Sequence, residues 1–427
     1  MRPGSRAPPV TGCVHVVGAG LSGLACATAL AGSGHEVILY EATDHAGGRC
    51  RSWHDALLDR VIDNGNHLIL GANPECFAYL DRIGGRAGLI TVDPVALPFL
   101  DLRDRRHWTL RPGNGPLPLW LADPARRVPD SGLLDYLAVL KLAFAGPDAR
   151  VADVLPEGTL LTDRLWKPLA VSILNTPYET GSARLLWSVF GRTLLRGANA
   201  CRPWITGSGG LSAALVDPAL AYLARFGARV QFGNRLKALE RTADGLVSAL
   251  DFGSDRIVLA ARDKVVLAAP PEAAARLLPD VPVPDRFHAI LNAHYRLESP
   301  VTLPGGLPLV GLVGGVAEWL FLRDDLISVT ISAADALMDR DAHDLLHLIW
   351  RDVAAATGLD PDHPAPGRIV KEKRATFAAT PEQGHKRPRP QQSANLLLAG
   401  DWTDTGLPAT IEGAVQSGHR AAAMAAQ

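Results

Sequence analysis

A chain of 427 residues with 43 Lys+Arg against 44 Asp+Glu carries a formal net charge of −1, which argues against a nucleic-acid partner. Its length exceeds one ordinary core and predicts two domains or a discontinuous pair. Cys13, Cys26, Cys50, Cys76 and Cys201 are scattered, odd in number and without a C-x-x-C spacing, so they read as buried thiols of a reducing compartment rather than a disulfide frame.

Residues 1–11, rich in Pro, Gly, Ser and Arg, read as a disordered tail. The apolar run Val14 to Val17 then predicts a fully buried parallel strand. It enters Gly18-Ala19-Gly20-Leu21-Ser22-Gly23, the G-x-G-x-x-G spacing. Glycines so spaced permit a tight turn, close backbone approach to a pyrophosphate, and close packing of the next helix on the strand. Leu21 to Ala31 predicts that helix, its N-terminal N–H groups and dipole facing the phosphates. A second strand, Glu36 to Tyr40, delivers Glu41 at its carboxyl end, followed by Ala42. A carboxylate there accepts from both ribose hydroxyls and repels a 2′-phosphate. A lone G-x-G-x-x-G is a weak signal, but here strand, helix and acidic strand end are in register. A dinucleotide is the expected ligand.

Six residues past Glu41 stands Gly47-Gly48-Arg49. An NAD-dependent dehydrogenase has no need of a second glycine pair there. This start resembles the FAD proteins of the amine oxidase and phytoene desaturase superfamily. The resemblance implies that the chain turns back past the pyrophosphate at this point, with Arg49 as a fixed charge whose planar fork suits phosphate oxygens. It also places the turn Asp63-Asn64-Gly65-Asn66-His67 beside the flavin ring. Gly65 then allows close backbone approach, Asn66 and His67 point near the ring, and His67 is the candidate catalytic residue.

Residues 74–204 change character. Leu97 to Leu110 predicts a hairpin, and Leu133 to Phe144, Leu160 to Leu174 and Ala183 to Leu195 predict apolar helices. Leu133 to Ala145 is the most apolar of these, suited to a core or to a helix that dips into lipid. Nowhere do 18 apolar residues run uninterrupted, so no membrane-spanning helix is expected. Around residue 205 the α/β pattern returns. Asp217-Pro218 predicts a helix start, and strands are expected at Arg229 to Phe232, Arg235 to Leu239, Leu246 to Phe252, Arg256 to Ala260 and Lys264 to Ala269. By the same resemblance the backbone near Leu236 meets the adenine. Residues 272–393 return to the other region, with strands at Ala289 to Tyr295 and Leu326 to Ser332. His343 and His347 share a helix face but lack an acidic third ligand, so no metal is expected. Leu396 to Ala399 predicts a last buried strand ending at Gly400-Asp401, and Thr410 to Ala425 a last helix. The resemblance puts Asp401 at the ribityl or phosphate region and the helix start, Thr410 and Ile411, at the N1–C2=O edge of the flavin.

The expected fold class is α/β. A discontinuous Rossmann-like FAD-binding domain (12–73, 205–271 and 394–427) accompanies an α+β substrate-binding domain (74–204 and 272–393). The stretches DNGNHLILGAN, LNTPYETGSA, EKRATFAATP and LAGDWTDTGLPATIEGAVQSGHRAA together resemble the hydroxysqualene dehydroxylases, over nearly the whole chain. That family implies reductive removal of a hydroxyl by reduced FAD in squalene and hopanoid synthesis. It also implies a long apolar isoprenoid substrate in an apolar tunnel, whose walls are expected from the helices between Leu133 and Leu195 and the strands between Ala289 and Ser332. A cytoplasmic location with peripheral contact on the inner face of a membrane follows from such a substrate. Two competing readings share the fold, desaturation of a carotenoid-like polyene and amine oxidation. A third is a non-enzymatic flavin-stabilised scaffold. The chain departs from the family at Asn66, where Gln is usual, and at Arg202 to Leu211. No lysine can be placed above the flavin as amine oxidases have it.

Overall fold

The computed structural model describes residues 12–115 and 118–427; the expected tail, 1–11, lies outside the described residues. Its central layer is a five-stranded parallel sheet in the order Arg229–Gln231, Val37–Tyr40, Val14–Val17, Lys264–Leu267, Leu396–Leu398. Such strands are covered on both faces, which is why VHVV, VILY and LLL carry almost no polar alternation. Three distant stretches of chain supply this sheet. The expected strand at Arg235 to Leu239 starts later, at Ala238, and runs to Arg241 in a three-stranded antiparallel sheet. The residues before it are spent on the crossing: Gly233 N–H donates to Thr43 O and Asn234 N–H to Glu41 O, both at 2.8 Å.

The second large layer is a seven-stranded mixed sheet. Its order is Gly367–Phe377, Phe287–Arg296, Leu326–Ile331, Trp319–Arg323, Leu309–Val313, Leu97–Asp101, Arg106–Leu110. The last two strands are the expected hairpin. Period-2 alternation divides its two faces. Leu291, Ala293, Tyr295, Ile327, Val329 and Leu320 pack in one core with the helix Ala342–Thr357. Asn292, His294, Ser328, Thr330, Phe321 and Arg323 alternate with them and take the opposite face, toward the turn at Asp63 to His67. That division positions the site.

Three helical expectations change in detail. The α-helix Asp217–Arg225 begins where Asp217-Pro218 predicts, but a π turn at Ser212–Val216 leads directly into it, so Asp217 is its first residue and not its cap. Proline lacks an N–H and its ring crowds the carbonyl four residues back; the wider π turn relieves both. The same pairing recurs at Thr162–Trp166 before Lys167-Pro168. Leu134–Phe144 is a run of 3-10 turns rather than an α-helix. At three residues per turn, Tyr136, Val139 and Leu142 all face inward, while Leu134, Leu137 and Leu140 all face solvent. Finally, the helix Pro74–Ile83 packs its Cys76, Tyr79, Leu80 and Ile83 in the same apolar cluster as the first helix.

Candidate active site

The glycine turn is built for a backbone-bound anion. Gly18 sits at φ +110°, where a Cβ would lie 2.5 Å from Ala268 O; a Cβ on Gly23 would lie 1.9 Å from Gly18 O. These two glycines are needed for turn and packing. A Cβ on Gly20 would meet nothing within 4 Å, so the middle glycine faces open space. The helix Leu21–Gly32 begins there without a side-chain cap, which leaves its first N–H groups for a ligand. Gly47 lies directly against this loop: its N–H donates to Ala19 O at 2.8 Å and it bridges Gly20. The two glycine motifs thus form one concave backbone surface.

Glu41 closes one end. Its Oε2 accepts from Ala19 N–H at 2.8 Å, and its Oε1 accepts from Thr43 N–H at 2.9 Å. Ala42 beside it is half-buried, and Leu236 is fully buried in the apolar cluster that also holds Tyr40 and Phe252. At the other end, Arg49 donates through Nη2 to Asp401 Oδ2 at 2.7 Å and through Nη1 to Ala375 O at 2.5 Å. The buried Asp401 carboxylate holds the guanidinium pKa above its ordinary value. Gly400 is pinned by Ser417 Oγ, which accepts from its N–H at 2.9 Å. Thr410 caps the last helix, its side chain accepting from Gly413 N–H at 3.0 Å, with Ile411 as the first helical residue. Open space at Gly20, an uncapped helix start, a carboxylate and a fixed guanidinium fit a dinucleotide such as FAD.

The turn at 63–67 is held by the polar face of the large sheet. Asp63 is buried and accepts from Ser52 Oγ at 2.6 Å and Leu211 N–H at 2.8 Å, and it pairs with Arg323 Nη1 at 2.8 Å. His294 Nε2 bonds Asp63 O at 3.0 Å, and Asn292 Nδ2 donates to Asn64 O at 3.1 Å. Asn66 Nδ2 donates to Thr330 Oγ1 at 3.0 Å, so the side chain shorter than the family's Gln still has a partner. Gly65 lies close under His67; a Cβ there would be 3.8 Å from its Nε2. Burial pulls the His67 pKa down to about 4, with Asp63 opposing and Arg49 assisting, so the imidazole is neutral at neutral pH. A cavity of about 10 Å³, room for one water-sized oxygen, is lined by Asn66, His67, Ile205, Thr206, Phe321 and Arg323. No residue of the helices between 133 and 195 lines it, although strand 319–323 does.

Two acids near this turn and the last helix, Asp63 and Glu412, are both used as hydrogen-bond acceptors. Asp63 is engaged as an acceptor, as above. Glu412 accepts from Glu75 N–H at 3.2 Å and Cys76 N–H at 2.9 Å, which makes it the cap of another helix. The sequence reading missed Asn292, His294, Arg323 and Thr330. A signal exists for three of them: Asn292 and His294 alternate with apolar residues in FHAILNAHYR, as Ser328 and Thr330 do in LISVTI, whereas Arg323 at the end of WLFLR has none. Among the described residues no group of three His, Cys, Asp or Glu could hold a metal, and the Nε2 atoms of His343 and His347 lie 3.3 Å apart on an exposed face. The five cysteines are free.

A family model described as flavin containing amine oxidoreductase matches residues 21–425. Among solved structures, the cyclohexylamine oxidase of Brevibacterium oxydans superposes with a TM-score of 0.68 over 97% of this chain and 99% of its own, at 17% identity. A putrescine oxidase variant gives 0.69 over 97% and 98%, at 18% identity. These likenesses speak to the fold. Much nearer in sequence is the hydroxysqualene dehydroxylase of Sinorhizobium fredii, 46% identical across 96% of this chain and 98% of the relative. That of Rhodopseudomonas palustris is 48% identical across 96% and 97%. With its two glycine motifs joined over one cradle and this identity running from end to end, the chain is an FAD-dependent member of the flavin-containing amine oxidoreductases and belongs to the hydroxysqualene dehydroxylase family.

Proposed function

We propose that this enzyme removes the hydroxyl of hydroxysqualene reductively to give squalene. The observation that carries the reading is the near full-length identity with hydroxysqualene dehydroxylases. In the net change a C–O bond becomes a C–H bond, a hydride and a proton enter, and water leaves. Bound FAD in its reduced form supplies the hydride. The chain's own tasks are to bind the cofactor, orient the alcohol and exclude water, which would otherwise return the cation to alcohol. Gly18 to Gly23, Glu41, Ala42, Gly47 to Arg49, Leu236, Gly400, Asp401, Thr410 and Ile411 are proposed as the cofactor contacts, and Gly65 to His67 as the ring-side turn. His67, neutral through burial, serves as a hydrogen-bonding group toward the alcohol rather than as a store of acidic proton. Ile205 and Phe321 provide the dry wall, continued by Val92, Ala96 and Leu309 in one apolar cluster.

The substrate arrives from lipid in this reading, through peripheral contact with a membrane. Among the described residues no helix is long and apolar enough to cross one. What supports surface contact is Leu134, Leu137, Leu140 and Phe144, all exposed on one 3-10 run, with Leu133 exposed just before it.

The test is an anaerobic single turnover. Holoenzyme reduced with dithionite and freed of excess reductant is mixed with hydroxysqualene. Squalene should form one per flavin while the oxidised flavin spectrum returns. Reduced flavin that persists with no squalene would overturn the reading. Oxidised enzyme that instead bleaches with a polyene or an amine would move it to the desaturase or amine oxidase class.

A further inference from the structure

The cavity beside His67 has a polar group that the protein itself does not satisfy. Arg323 stands on strand Trp319–Arg323 with a side chain only 6% exposed. Its Nη1 serves Asp63, Thr206 Oγ1 at 3.4 Å and Gly207 O at 3.2 Å. Its Nη2 is buried and has no hydrogen-bond partner among the described residues. Leaving a charged donor unpaired in a protein interior is costly, and such groups are ordinarily satisfied by side chain, water or ligand. Arg323 also lines the cavity, whose volume of about 10 Å³ admits one oxygen atom of water size. Around that space Asn66, His67 and Thr206 contribute further polar atoms, and Ile205 and Phe321 the apolar wall.

We infer that this cavity is the hydroxyl station of the enzyme, with Arg323 Nη2 donating a hydrogen bond to the oxygen of the substrate alcohol. The inference rests on the proposed dehydroxylation. The pairing with Asp63 suits the task, because it makes the dyad neutral overall and keeps a bare cation away from a carbon that becomes positive. A hydrocarbon product lacks the oxygen and leaves Nη2 unpaired again, so the station favours alcohol over product. Arg323 is therefore a specificity-determining residue.

The test compares binding of hydroxysqualene and squalene to oxidised holoenzyme in detergent, by the change in flavin absorbance, in wild type and Arg323→Lys. The lysine retains a charge for Asp63 but has no fork. Wild type should bind the alcohol more tightly by about tenfold or more, the worth of one charge-assisted hydrogen bond. Arg323→Lys should lose that preference while its affinity for squalene and its FAD content stay unchanged. An equal preference in the variant would overturn the inference and mark the cavity as the seat of a structural water only. A wild type with no preference would overturn it without any variant, even if the lysine protein failed to fold. Either result leaves the single-turnover experiment free to succeed, so failure of the station is separable from failure of the dehydroxylation.

Discussion

Arg49 and Asp401, 352 residues apart in the chain, are joined by a 2.7 Å ion pair at the point where the second glycine motif meets the last strand. The pair ties the first and last segments of the dinucleotide layer together, while nearly half of the Arg49 side chain stays accessible. Each member orients the other, and both are proposed FAD contacts. Arg49→Gln and Asp401→Asn should each lower FAD affinity by about tenfold. The double variant should lose less than the sum of the two, since the groups act as a unit. Flavin absorbance per mole of protein after desalting gives the readout; full occupancy in either single variant would remove the pair from the cofactor site.

Glu41 does two jobs in one carboxylate. Oε2 holds the Ala19 N–H of the glycine loop, and Oε1 holds Thr43. Glu41→Arg reverses the charge and breaks both bonds, so FAD content should fall severely. Glu41→Gln keeps one acceptor oxygen and should show an intermediate loss. The order wild type, Gln, Arg in retained flavin is the expectation, and a variant pair indistinguishable from wild type would contradict the role given to Glu41.

Acid should destabilise the fold through the buried His294 and the partly buried His67. Burial takes the pKa values of both His67 and His294 from an ordinary 6.5 down to about 4, against the opposing pull of Asp63. Between those limits the unfolded chain binds protons that the folded rings refuse, so the stability these two rings contribute is full above about pH 6.5 and is lost as pH drops toward 4. For His294, fully buried against Ser328 and Asp63 O, the loss is on the order of 3 kcal/mol. Urea midpoints measured from pH 7.5 to 4.5 should decline, and His294→Gln should flatten the decline by about half. A midpoint independent of pH in wild type would show that these rings are not held neutral.

Much of this was legible in the chain, for identifiable reasons. A parallel strand buried on both faces must be an unbroken apolar run, and Val14–Val17 and Val37–Tyr40 fall within the runs that predict them. The glycine spacing is readable because Gly18 and Gly23 are forced by contacts within a few residues or one strand away. Arg323 and Asn292 were not legible as site residues. Their partners Asp63 and Asn64 lie more than two hundred residues away, and only the register of the large sheet brings them together. Nor does composition separate a 3-10 run from an α-helix in Leu134–Phe144, because both expose apolar side chains at three-residue intervals over a short stretch.

That run leads to the sharpest surface prediction. Leu134 is 74% exposed and Phe144 89%, with Leu137 exposed between them, while Tyr136, Val139 and Leu142 anchor the same turns inward. Replacing the outward residues therefore leaves the core contacts intact. Exposed Lys141 adds a charge suited to anionic headgroups. Burying Leu134, Leu137 and Phe144 in a lipid interface is worth on the order of 3 kcal/mol together, after allowing for partial insertion. That is about a hundredfold in partition. The variant combining Leu134→Ser, Leu137→Ser and Phe144→Ser should keep FAD content and thermal stability. It should lose most of its co-sedimentation with vesicles of mixed zwitterionic and anionic lipid. Turnover of hydroxysqualene presented in those vesicles should fall with it, whereas turnover of substrate in detergent micelles should not. If vesicle binding and vesicle-presented turnover both survive the three serines, the enzyme meets its substrate by another surface.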